Sequence, residues 1–470
     1  MALEHVEIPP LPIDRFRAIL NEEQERRLDA ALAEAERSLA GRVVWNVNST
    51  ARGGGVAEML HSLIAYTRGA GVDARWVVIE GEPHFFEVTK RIHNRLHGSP
   101  GDGGPLGDEE RATYERVTDG NAEELCGLVK EGDVVLLHDP QTAGLVERLK
   151  SAGAHVVWRA HIGLDLPNDL AREAWRFLLP YVTASDAYVF SRQAFVWEGL
   201  DEERLAIIPP SIDPFSAKNQ DLDGAAVEAI LAASGIVEGD SEHAGFTRRD
   251  GTPGRVDRRA ELVEDGPLPE GALLVTQVSR WDRLKDMDGV LEGFVGHVSD
   301  ERAHLLLVGP DVTAVADDPE GAEVLAEVRE RWEGLDGGTR ARVHLALLPM
   351  DDAEENAAMV NAIQRRSDVV VQKSVAEGFG LTVSEGMWKA RPVVASRVGG
   401  IGDQIVDGES GVLVDPRDLE GFGSTVAGLL ADRERAERIG RGARERVRDQ
   451  FLGPRHLGQY VELFARVIAG

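Results

Sequence analysis

Two rhythms of apolar and polar positions run along this chain. Residues 20–39, rich in Glu, Arg, Ala and Leu, repeat at helical spacing and predict a solvated amphipathic helix. A short apolar run at 42–47 then predicts a strand, the glycine-rich stretch 48–55 a turn, and 56–68 another helix. Further strands are expected at 74–80, 133–138, 155–161 and 187–191, with helical segments between them. Strand and helix in alternation is the signature of a doubly wound parallel sheet.

Prolines 209, 210 and 214 interrupt this rhythm, and a polar tract follows to Pro269. Alternation resumes with strands expected at 272–278, 304–308, 342–347, 368–372 and 392–396, predicting a second sheet of the same kind. Residues 98–110 and 238–266, rich in Gly, Asp, Arg and Pro, are expected to be excursions without sheet structure. The fold class is therefore α/β, with domains expected at 1–215 and 216–454. The apolar spacing of Leu457, Tyr460, Leu463, Phe464 and Val467 predicts an amphipathic helix at 455–470.

Composition narrows the function. The formal net charge is −29, from 81 acidic and 52 basic residues, which argues against nucleic acid or an anionic membrane as a partner. A phosphate-bearing substrate then requires a local cationic or amide-rich pocket that overcomes the global field. One cysteine, Cys126, excludes an intramolecular disulfide and a multi-cysteine metal site. An acidic start with a Pro-Pro pair is unlike a secretory leader, and no run of about 18 apolar residues occurs, so a cytoplasmic protein is expected.

Open parallel sheets bind ligands at the carboxyl ends of their strands, so the residues there are the chemical candidates. After the first strand come Gly53, Gly54 and Gly55, whose bare backbone lets amides at a helix start approach a phosphate. The turn lacks the Gly-x-Gly-x-x-Gly order of dinucleotide-binding sheets. Where the second sheet begins, 277–286 reads Gln-Val-Ser-Arg-Trp-Asp-Arg-Leu-Lys-Asp, and Arg280 and Lys285 can converge on an anion. Beyond the strand at 368–372, Glu377 and Glu385 bracket Gly378, Phe379, Gly380 and Leu381 at a helix start, two carboxylates able to accept hydrogen bonds from paired hydroxyls. His138 and His161 follow strands of the first sheet.

Together the two sheets, the Arg-and-Lys loop and the two glutamates resemble the retaining GT-B glycosyltransferases, whose two Rossmann-like domains face one another across a cleft. Within that group the chain is most similar to the trehalose glycosyltransferring synthases and the related retaining trehalose phosphorylases. The strings that carry this likeness are 48–58, 89–94, 138–141, 209–214, 277–286 and 317–321. The resemblance implies that Arg280 and Lys285 bind a donor diphosphate, Glu377 holds glucose hydroxyls and Glu385 holds the ribose. It further implies that Gly54, Gly55 and the amides from Gly378 to Leu381 cradle phosphate and sugar, and that His138 lies beside the reacting sugar. Asn48, Lys90, Asn94 and His161 are the acceptor-side candidates, and the resemblance implies that the helix at 455–470 returns to pack on the first domain.

The implied substrates are a nucleoside diphosphate glucose, ADP- or UDP-linked, and a glucose acceptor, with α,α-trehalose as product. The implied mechanism is same-face substitution, in which the leaving diphosphate takes the acceptor proton. No metal or other cofactor is expected, and Asp317-Asp318 reads as a turn before Pro319. A phosphorylase using glucose 1-phosphate is the close rival. A nicotinamide-dependent oxidoreductase and a catalytically silent sugar-nucleotide sensor are the more distant ones. A homodimer is the candidate assembly.

Overall fold

The computed structural model describes residues 3–51, 54–312 and 319–470. It divides into two compact units, Met1–Ser211 with Phe451–Gly470, and Ile212–Gln450.

In the first unit the strands are β1 (Glu4–Val6), β2 (Val43–Asn48), β3 (Asp73–Val78), β4 (Val134–His138), β5 (His155–Ala160), β6 (Ala187–Phe190) and β7 (Leu205–Ile207). They form one sheet in the order β1-β3-β2-β4-β5-β6-β7, all parallel except β1. Every residue of β2, β4 and β6 is buried, which is why these strands read as apolar runs rather than alternations: helices cover both faces of a parallel sheet. One face packs Trp45, Phe85, Tyr114, Trp158, Trp175 and Phe190 into a large core. The helix at Glu22–Ser38 is opened by a capping box between Asn21 and Gln24. Against it lies helix Gly453–Ala469, the return helix, which buries Leu457, Tyr460, Val461, Leu463 and Phe464.

The second unit holds β10 (Glu261–Val263), β11 (Leu273–Val278), β12 (Ala303–Pro310), β13 (Val343–Leu348), β14 (Val369–Gln372), β15 (Val393–Ser396) and β16 (Val412–Val414). Their order is β10-β13-β12-β11-β14-β15-β16, with only β10 antiparallel. The strand order places β11 and β14 side by side, so the loops that follow them meet at one end of the sheet.

One expectation fails here. Residues 238–266 are not free of sheet structure: β8 (Gly245–Thr247) and β9 (Pro253–Arg255) form a separate antiparallel pair, and β10 extends the main sheet. These strands are three residues long, too short to show a period, and charged side chains tie the segment down. Arg248 pairs with Asp352 at 2.6 Å, and Glu355 accepts the backbone N–H groups of Asp257 and Arg258. Residues 98–107 hold no strand and are fastened by Arg91, which grips Asp102 at 2.6 Å. Among the described residues no helix is long and apolar enough to cross a membrane.

Candidate active site

The second unit builds its candidate site from the ends of β11 and β14. Chain direction after β11 is set by two aspartates. Asp282 accepts from Leu284 N at 2.7 Å, and Asp286, in the left-handed region at φ 52°, caps the next helix by accepting from Gly289 N. Buried Gln277 clasps both loops: its amide donates to Lys285 O at 2.7 Å, and its carbonyl accepts from Lys373 N at 2.9 Å. Lys373, also buried, pairs with Asp286 and donates to Pro416 O at 2.8 Å. A further backbone bond joins Val375 N to Leu284 O.

This bracing brings Lys285 onto Glu377, whose carboxylate it contacts directly, with both side chains mostly buried. Arg280 is placed differently: it is two-thirds exposed and lies 3.0 Å from Asp282. Gly380 takes φ 82° to open the helix Leu381–Trp388, and a Cβ on it would press against Glu377 Cγ. Gly378 O accepts from Gly400 N at 3.0 Å, and Phe379 O accepts from the buried Gln404 amide. Glu385 is buried on that helix, with Lys218 Nζ 3.6 Å from its carboxylate. Lys389, one turn further, donates to Asn219 Oδ1 at 3.0 Å and to Glu385 O at 3.2 Å. Burial pulls its ammonium below the ordinary lysine range, against the pull of the nearby Glu385 carboxylate.

The first unit gathers a different cluster at the ends of β4 and β5. His138 Nδ1 lies 2.9 Å from His161 Nε2, and the two rings are nearly parallel. Burial lowers His138 to about 3 and takes His161 well below its ordinary value, with the Arg159 charge acting in the same direction. Between them in sequence, Asp139 adopts φ 64°, accepts from His161 N at 2.8 Å, and is pushed up to about 7 by burial. Asn48 is buried and engaged: it accepts from Trp76 Nε1 at 2.8 Å and donates to Thr50 O at 2.7 Å. Lys90 is exposed, and half-buried Asn94 lies against Gly101. Helix Gly54–Gly69 starts at Gly54 with Gly55 exposed, whereas Gly53 and the Asp317-Asp318 pair lie outside the described residues.

Sequence reading assigned no role to Gln277 and did not single out Lys373 or the Gly399-Gly400 pair. Gly399 has φ 48°, and a Cβ on it would fall 1.6 Å from Glu377 O, so the missing side chain is what lets the loop after β15 close on Glu377. The rule that flagged the other loops, scrutiny of each strand end, would have found it. Among the described residues no three His, Cys, Asp or Glu side chains are grouped to hold a metal ion.

Two doubly wound units with charged and glycine-rich loops at the strand ends, together with the matches to known families, define the protein as a glycosyltransferase of the GT-B class. Residues 46–197 match the family model described as trehalose synthase, N-terminal domain, and residues 258–446 match that of the glycosyl transferases group 1. A trehalose synthase of Thermococcus litoralis is 36% identical over 453 residues, spanning 96% of each chain. The chain belongs to the trehalose synthase family. A trehalose phosphorylase of Pleurotus pulmonarius is 27% identical over 86% of this chain, which spans 54% of that longer protein. Among solved structures, an α,α-trehalose-phosphate synthase (UDP-forming) from Burkholderia vietnamiensis has the same fold, with a TM-score of 0.65 at 15% identity over 90% of this chain and 99% of that one.

Proposed function

We propose that the protein is a cytoplasmic, retaining enzyme that transfers glucose from a nucleoside diphosphate glucose to free glucose, giving α,α-trehalose. The observation that carries this reading is the Lys285–Glu377 pair, braced by Gln277 and Lys373 at the mouth of a parallel sheet. Such a pair offers a fixed ammonium to a diphosphate and a fixed carboxylate to sugar hydroxyls. Buried Glu385 supplies a second carboxylate for the ribose, and Arg280 is exposed enough to swing from Asp282 onto the phosphates. As the bond from C1 to the phosphate oxygen breaks, the acceptor oxygen bonds to C1 on the same face. The acceptor proton passes to the departing phosphate oxygen. Lys285, Arg280 and the amides around Gly378 to Leu381 stabilise the growing negative charge, which requires no metal ion.

The test is incubation with glucose and, in turn, ADP-glucose, UDP-glucose or glucose 1-phosphate, identifying the sugar and the leaving group. Trehalose with release of a nucleoside diphosphate is the expected result. Trehalose with phosphate release from glucose 1-phosphate alone would make the enzyme a phosphorylase, a reading favoured by the Pleurotus relative. Another acceptor glycosylated in place of glucose would remove the trehalose assignment and keep the transferase.

A further inference from the structure

Arg159 is wholly buried at the end of β5, a costly position for a cation unless its donors are used. They are: the guanidinium contacts Tyr460 Oη on the return helix, donates to Ile208 O at 3.1 Å, and directs Nε–H at His161 Nδ1 at 3.2 Å. A guanidinium has no acceptor and keeps its protons. His161 Nδ1 must therefore present its lone pair. Since His161 is held neutral, its single proton sits on Nε2 and is donated to His138 Nδ1, 2.9 Å away. His138, also neutral, is left with its proton on Nε2. The acceptor facing that proton is Asn46 Oδ1 at 3.4 Å, a long and weak partner.

We infer that Arg159, anchored by Tyr460, fixes the tautomer of His138 through His161, so that His138 holds its proton on Nε2 and accepts through Nδ1. Arg159, His161 and Tyr460 are positioning residues. The groups around the histidines agree with this order. Arg159, buried, and Arg455, half-buried, are cations that oppose protonation of His456, which packs on Tyr460 and accepts or donates at Ser211 Oγ 2.8 Å away. Asp139 is the neighbouring carboxylate, and it spends Oδ1 on the His161 backbone rather than on an imidazole ring. The tautomer stands independently of the proposed reaction. Only its use there rests on His138 being the sugar-side group.

The experiment is long-range 1H–15N NMR on protein labelled at its 13 histidines, with His138 assigned from the spectrum of His138→Gln. In the unmodified protein His138 is expected to carry a protonated Nε2 and a bare Nδ1 from pH 5 to 9. A proton on Nδ1, or on both nitrogens at neutral pH, overturns the inference even if Arg159→Met does not fold. In folded Arg159→Met the His138 signature should become mixed. With the assayed donor, kcat should fall about tenfold to a hundredfold, as expected when a group is misplaced by an ångström, with KM little changed. Tyr460→Phe, which keeps the Arg159 Nε–H, should retain the signature and lose less activity. An unchanged signature and kcat in Arg159→Met would also overturn it. If the signature is as expected but no donor supports transfer, the proposed function fails and the tautomer assignment survives.

Discussion

At the scale of single residues, the chemistry proposed for the second unit turns on Lys285. It is held from three directions: its backbone carbonyl by Gln277, the following Asp286 by Lys373, and its ammonium by Glu377. A preorganised cation of this kind contributes most as the diphosphate departs. Lys285→Ala should lower kcat roughly hundredfold while the protein stays folded, since loss of one such donor costs ~3 kcal/mol. Near-normal turnover of the folded variant would remove Lys285 from the donor site. Lys285 and Glu377 were legible because open parallel sheets take ligands at the carboxyl ends of their strands, and both lie in loops that follow such strands. Arg159 was harder to read, although an arginine inside the apolar run His-Val-Val-Trp-Arg-Ala is itself a signal. Its partner Tyr460 lies 301 positions away, a separation that no local pattern encodes.

At the scale of elements, the long strands were legible and the short ones were not. Runs such as Val-Val-Leu-Leu in β4 are buried on both sides, so their apolar character is continuous. By contrast β1, β7, β8, β9, β10 and β16 have three residues each, and their places depend on the strand they meet. Turns carry two predictions. Because Gly399 packs its bare Cα against Glu377 O, Gly399→Ala should push the Glu377 loop aside and reduce kcat at least tenfold, a shift of roughly an ångström being enough. Unchanged kinetics in that variant would show that the loop tolerates the shift. Ala390 sits at φ 55° in the turn after helix Leu381–Trp388, a left-handed conformation costing an alanine about 1–2 kcal/mol. Ala390→Gly should relieve more than its added chain entropy costs and raise stability by about 0.5–1 kcal/mol, seen as a higher urea midpoint. A lower midpoint would mean that the methyl group packs more usefully than it strains.

At the scale of the whole molecule, buried titratable groups set the response to acid. His138 is lowered to about 3, His304 to about 4, and His161 and His456 well below their ordinary value, each chiefly by burial. An unfolded histidine takes a proton near pH 6.5, so below that pH the unfolded chain binds more protons and stability falls. Asp139 acts oppositely: raised to about 7 from 3.8, its contribution is complete below its unfolded value and is lost as pH rises through 7. Four histidines outweigh one carboxyl, so the urea midpoint should drop between pH 7 and 5, measured in about 0.5 M salt to screen the −29 net charge. A flat or rising midpoint over that interval would contradict the buried, neutral histidines. The return helix has a further consequence, in time rather than in space. The first unit needs Leu457, Tyr460 and Phe464 to cover its sheet, yet Ile212–Gln450 is translated in between. At about 5–20 residues per second, the ribosome leaves the first unit incomplete for roughly 12–50 s, long enough for the second to fold and for an uncovered apolar face to call on a chaperone.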